Sequence, residues 1–219
     1  MKGVIIVNEK TKNVLLGVLV VGLVSMTVAY AALTQTLNIN GSATVQNIAS
    51  SWKVRFRALD TTKDGSTYQP ITTTGYATMA QDAALSFTSD STIVTLPMVT
   101  LKAPGDKVEY VWAVENTGDI NAVLTGKTDI TLGAATWAND ETLDANGKAA
   151  LINDIDVKFT YADGTAITAN TDKLAKTTGK ALLKVTVEYK KTGETQTLPS
   201  KDVTFSNITA ALTYGQDNA

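Results

Sequence analysis

Alternation with a period of two, repeated in short runs along most of the chain, is the feature that most constrains its fold. In WKVRFRAL (52–59), Trp52, Val54, Phe56 and Ala58 point one way and Lys53, Arg55 and Arg57 the other. Successive side chains on a strand face opposite sides, so this spacing marks a strand with one buried face. KVEYVWAVEN (107–116) repeats it, with Val108, Tyr110, Trp112 and Val114 inward and Lys107, Glu109 and Glu115 outward. IDVKFTY (155–161) does so through Ile155, Val157, Phe159 and Tyr161, and LLKVTVEYK (182–190) through Leu183, Val185, Val187 and Tyr189. A last pair of strands is expected around Val203, Phe205, Ile208, Ala210 and Leu212. Turn signals separate the runs: Lys63-Asp64-Gly65, Pro104-Gly105-Asp106, Thr117-Gly118-Asp119, Ala162-Asp163-Gly164 and Thr192-Gly193-Glu194. Helices are expected only as short pieces at 139–152 and 171–176. Many short strands without a βαβ rhythm predict an all-β chain, an antiparallel β-sandwich of jelly-roll type.

Ahead of the first strand lies the apolar run VLLGVLVVGLVSMTVAYAAL (14–33), preceded by Lys10 and Lys12. A basic start, an apolar core and small residues at the −3 and −1 positions make a secretory signal peptide. Ala29 and Ala31 supply those small residues, so residues 1–31 are expected to be removed by signal peptidase, leaving Ala32 as the mature N-terminus. The competing reading is an uncleaved membrane anchor, for which the run is long enough. Gly17, Gly22, Ser25 and Thr27 weaken that reading. On either reading the rest of the chain lies outside the cytoplasm, secreted or at the cell surface.

Composition then removes whole classes of chemistry. The chain has 219 residues with neither Cys nor His. Disulfides, thiol nucleophiles, Ser-His-Asp triads and the HExxH zinc helix are therefore excluded. Without signal residues Lys2, Lys10, Lys12 and Glu9 the net charge moves from −2 to −4. A mildly acidic chain without basic clusters argues against nucleic acid as a partner. No cofactor and no metal site is expected.

The segment after the cut, ALTQTLNINGSATVQNI (32–48), is strand-like and carries no charge. An unprotected β-prone segment can pair with any exposed sheet edge, and natural edges usually carry Lys or Pro against this. Two readings are open. The segment is the first strand of its own sandwich, or it is a donor strand that pairs with another subunit, through Leu33, Leu37, Ile39 and Val45. The remainder, 49–219, is the sandwich domain.

Three pieces resemble the TasA/camelysin family of secreted fibre subunits from the biofilm matrices of Gram-positive bacteria. VAYAALTQ (28–35) is similar to the family's cleavage context, and VTFSNITAALTYGQ (203–216) to its C-terminal core strand. Most specific is LPMVTLKAPGDKVEYVWAVENTGDINAVLTG (96–126), which resembles the family's strand, PGD turn, strand, ENNG turn and strand. Here Pro104-Gly105-Asp106 and Glu115-Asn116-Thr117-Gly118 stand at the two turns. The chain departs from the pattern at Ala32-Leu33, where the family often has Phe or Tyr. The resemblance implies a jelly roll and a homopolymer built by donor-strand complementation, with other matrix or cell-wall components as further partners. The metalloprotease activity described for camelysin-type members cannot be carried over to a chain without His and Cys.

Other motifs weigh less. Pro104-Gly105-Asp106 reads as a turn between strands. Asp144-Ala145-Asn146-Gly147 resembles half a calcium loop, but Ile155 stands where the bidentate Glu belongs. Asn40-Gly41-Ser42 and Asn207-Ile208-Thr209 are glycosylation sequons by pattern alone. Trp52 and Trp112 read as core, whereas Trp137, beside Asp140 and Glu141, is the aromatic available for stacking on a sugar. Carboxylates such as Asp154 and Asp156 would serve a glycosidase only if the fold brought another to about 5–10 Å. Neither an LPxTG sorting signal nor a hydrophobic C-terminal tail is seen, so a cleaved chain is expected to diffuse, adhere or assemble. The leading expectation is a structural subunit and not an enzyme. A surface binding module for carbohydrate or a partner protein is the alternative, ahead of a carboxylate-dependent hydrolase.

Overall fold

The computed structural model describes residues 35–39, 53–65, 67–137, 139–190, 198–199, 203–205 and 208–217. In chain order the strands are β1 (Gln35–Ile39), β2 (Val54–Arg57), β3 (Ile71–Thr74), β4 (Thr78–Met79), β5 (Ser86–Phe87), β6 (Ile93–Thr95), β7 (Val99–Thr100) and β8 (Lys107–Asn116). They continue as β9 (Ala122–Lys127), β10 (Ala135–Trp137), β11 (Ile155–Tyr161), β12 (Lys173–Leu174), β13 (Gly179–Tyr189), β14 (Val203–Phe205) and β15 (Ala210–Gln216). One helix, α1 (Ala145–Asp154), lies between β10 and β11. The described chain is all-β in mainly antiparallel sheets, as the alternation predicts.

Two larger sheets carry the structure. The five-stranded sheet runs β11-β13-β8-β2, with β3 paired to β8 beyond the end of β2. The six-stranded sheet runs β12-β9-β15-β1-β6-β5. Their inward faces share one core, in which Val54, Phe56, Trp112, Val114, Leu183 and Val185 of the first sheet pack with Val94, Leu124, Leu212 and Tyr214 of the second. Trp112 anchors it, stacked on Phe159 at 6.1 Å and edge-on to Phe56 at 6.0 Å. Burying large aromatic side chains gives the most apolar area per residue, so this trio dominates the centre.

The alternation holds where strands are central and fails where they end. Val108, Tyr110, Trp112 and Val114 are buried as expected, but so are Val111 and Ala113, because the middle of β8 is covered on both faces. Ala58 is exposed rather than inward, since β2 stops at Arg57. On β11 only Phe159 is fully buried, while Ile155, Val157 and Tyr161 are half-buried on this outer strand. The last two strands do not pair with each other: β14 pairs with β10, and β15 enters the large sheet.

Both helix expectations need correction. The first helix starts at Ala145 and not at 139, because Asp144 caps it by accepting a hydrogen bond from Gly147 N at 2.7 Å. The segment 171–176 is not helical. Asp172 folds it into a turn by accepting from Thr168 N at 2.7 Å and from the Tyr161 hydroxyl at 2.6 Å. Leu174 is then buried in β12, paired with Ala122.

Candidate functional site: the slot filled by β1

β1 is the central strand that joins the two halves of the six-stranded sheet. On one side it runs antiparallel to β15 over Gln35↔Tyr214, Thr36↔Thr213, Leu37↔Leu212, Asn38↔Ala211 and Ile39↔Ala210. On the other it runs parallel to β6 over Asn38↔Ile93 and Ile39↔Val94 only. In the single chain this uncharged segment is an internal strand of the six-stranded sheet. Leu33 and Val45, also expected in the donor strand, lie outside the described residues. So do the signal residues Ala29, Ala31 and Ala32, and Trp52.

The slot walls are well made. Val94 of β6 and Ala210, Leu212 and Tyr214 of β15 are all buried, so a strand between them completes a hydrophobic layer. β15 is braced from behind by β9, through Leu212↔Lys127 to Gln216↔Ala122. A register shift at Thr213/Tyr214 in that pairing is bridged by the Thr125 hydroxyl donating to Thr213 O at 3.1 Å. The outermost strands of this sheet, β12 and β5, are two residues long. Such short edges give an incoming strand little to pair with. The long accepting surface therefore lies inside the sheet, at β1.

The two family-like turns are structural. In Pro104-Gly105-Asp106 the Asp106 side chain is buried and accepts from Tyr76 N at 2.7 Å, Lys102 N at 2.7 Å and Ala103 N at 2.9 Å. Gly105 sits at φ +97°, the left-handed region that favours glycine. In the second turn the buried Asn116 amide donates to Ile120 O and Leu174 O, while its oxygen accepts from Gly118 N. Both side chains serve backbone groups that would otherwise be orphaned.

A charged latch went unseen in the sequence. The fully buried Asp64 carboxylate is held by Arg57 Nη1 at 2.9 Å, by Lys180 Nζ at 3.0 Å and by Asp60 N at 2.9 Å. Burial pushes this carboxyl up, but these donors outweigh it and hold the pKa at about 2. Arg57 also pairs with Glu115 at 2.7 Å, tying the 60–65 loop to β8. Only long-range pairing brings 57, 64, 115 and 180 together, so no local spacing announces them.

Trp137 is half-buried on β10, opposite Val203, with the Lys148 ammonium 5.3 Å above its ring. A cation on one face leaves at most the other for a sugar. Asp156 is engaged by Lys158 at 2.7 Å and Lys190 at 3.6 Å. Among the described residues no group of three carboxylates is placed to hold a metal ion. Nor is any described helix long and apolar enough to cross a membrane. Comparison with known proteins returns no matching family model, no matching curated protein and no matching solved structure.

Proposed function

We propose that the chain is a secreted structural subunit with a jelly-roll sandwich, released by cleavage after Ala31, that polymerises into extracellular fibres by donor-strand complementation. The observation that carries this reading is the position of β1. An uncharged segment from one end of the described chain fills the centre of a sheet, between strands far away in sequence. The same backbone pairs can form whether the strand comes from its own chain or from a neighbour. That is the geometry of domain swapping, in which identical elements are exchanged between copies. The resemblance of residues 96–126 to the TasA/camelysin family, and the alanines at 29 and 31, support the same reading. No catalytic role, metal or cofactor belongs to it.

The energetics set the conditions. Each backbone hydrogen bond contributes only about 0.5–1.5 kcal/mol net, and these are nearly equal in the closed monomer and the polymer. Intramolecular closure competes at an effective concentration that reaches mM for short linkers. Exchange therefore needs crowded subunits or further contacts between them.

Chain starting at Ala32 should form filaments by electron microscopy at high concentration. A chain lacking residues 32–45 should form none, should be less stable, and should recover stability with a synthetic peptide of that sequence. Mature protein that stays monomeric by size-exclusion chromatography at every concentration and pH would leave the surface binding module as the better reading.

A further inference from the structure

We infer that the β5–β6 hairpin is the moving wall of the β1 slot: the sheet opens between β1 and β6, not between β1 and β15. The consequence for assembly rests on the strand-exchange reading above, but the opening is a property of the single chain.

The two seams differ in extent. The β1–β15 seam has five registered pairs and a braced strand behind it. The β1–β6 seam has two, and among the described residues the strand behind β6 is the two-residue β5, through Ser86↔Thr95 and Phe87↔Val94. Parallel pairing is also slightly less stable per residue than antiparallel. Within β6 only Val94 is fully buried, whereas opening at β15 would uncover Ala210, Leu212 and Tyr214. The β6 side is the cheaper seam to break.

The hairpin itself carries strain. Ser91, at its tip, has φ +59°, a left-handed conformation disfavoured for a residue with a side chain. The next residue, Thr92, is buried, and its hydroxyl lies beside the Asp90 carboxylate without a hydrogen bond of normal geometry. A buried hydroxyl so poorly bonded is a cost that opening would relieve. The tip is otherwise internally knit: Asp90 accepts from the Thr88 hydroxyl at 2.6 Å and from Thr92 N at 3.2 Å, and Ile93 N donates to the Thr88 hydroxyl at 3.1 Å. The hairpin can therefore move as a unit, and among the described residues its tip is tied to β2 by the backbone bond from Phe56 N to Ser91 O.

Hydrogen exchange on the mature monomer tests this without requiring assembly. The backbone of Ile93 is bonded within the hairpin and that of Ala211 on the β9 side, so alternation turns the amides of Val94, Leu212 and Tyr214 toward β1. The Val94 amide should exchange at least about tenfold faster than those of Leu212 and Tyr214, the signature of a local opening. Val94→Ala should widen that difference by accelerating β6 while leaving β15 protected. Equal protection of the two seams, or faster exchange at β15, would overturn the inference, and filaments formed under equal protection would overturn it while sparing strand exchange. Fast β6 with no filaments at any concentration would uphold the moving wall and remove its role in assembly.

Discussion

Leu37 and Leu212 come from opposite ends of the described chain and are register partners in adjacent central strands of one sheet. Leu212 has no exposed surface, so the position opposite it belongs to the sandwich layer and not to a free tail. This pairing makes the N-terminal segment part of the fold, and it is also the contact a neighbouring subunit would have to reproduce.

Leu37→Asp should therefore abolish assembly and lower the stability of the monomer, because it puts a charge at the register position opposite the fully buried Leu212. Leu37→Val should be tolerated. The check is urea unfolding of both variants together with electron microscopy after concentration.

Leu212→Ala removes buried methyl groups from a wall that serves both the closed monomer and the polymer. Substitutions of this kind cost about 2–5 kcal/mol. Thermal unfolding should show the loss, and filaments, if formed, should dissociate at lower denaturant.

The Asp106 turn gives a prediction about backbone satisfaction. Asp106→Ala leaves three backbone N–H groups without their acceptor, at roughly 1–3 kcal/mol for each that water cannot reach. Gly75→Ala should be damaging at the same place, since its Cβ would collide with Asp106 Oδ1 and Gly75 holds φ +75°. Denaturant unfolding should rank both variants well below the parent and leave the latch at Asp64 unaffected.

Acid should release that latch. Asp64 has a folded-state pKa of about 2, below its ordinary 3.8. A depressed carboxylate stabilises the fold above its ordinary pKa, and that contribution is lost as pH falls from there through about 2. Asp90 and Asp156 are shifted in the same direction by their hydroxyl and lysine donors. Asp64→Asn should be less stable than the parent at neutral pH by on the order of 1–2 kcal/mol, with the gap closing below about pH 3. Chemical denaturation from pH 2 to pH 7 measures it.

Strand content was legible because period-two runs such as 107–116 and 182–190 state which face is buried. The turns at Gly65, Gly105 and Gly164 were legible because each glycine stands in a turn-forming tripeptide, and each holds the positive φ that favours glycine. What stayed hidden was long-range. Nothing local in ITTT (71–74) says that it continues the edge of β8, and nothing in Lys173-Leu174 outweighs a helix reading until Ala122 pairs with Leu174. The uncharged character of the N-terminal segment showed that it would pair, but not that its partners would be β15 and β6. Likewise Asp64 read as a turn residue, and only the meeting of Arg57 and Lys180 makes it a latch.

The absence of native cysteine makes one measurement decisive for strand exchange. Asn38 and Ala211 are register partners across β1 and β15, and facing Cα atoms on antiparallel strands lie about 4.5–5.5 Å apart, within disulfide range. The double variant Asn38→Cys/Ala211→Cys should be assembled under reducing conditions, oxidised, and run on a denaturing gel without reductant. Strand exchange predicts a ladder of covalent multimers from assembled material, and a single monomer-sized species from dilute protein oxidised before assembly. Assembled material that yields only the monomer-sized species would show that β1 never leaves its own chain, and would contradict the account.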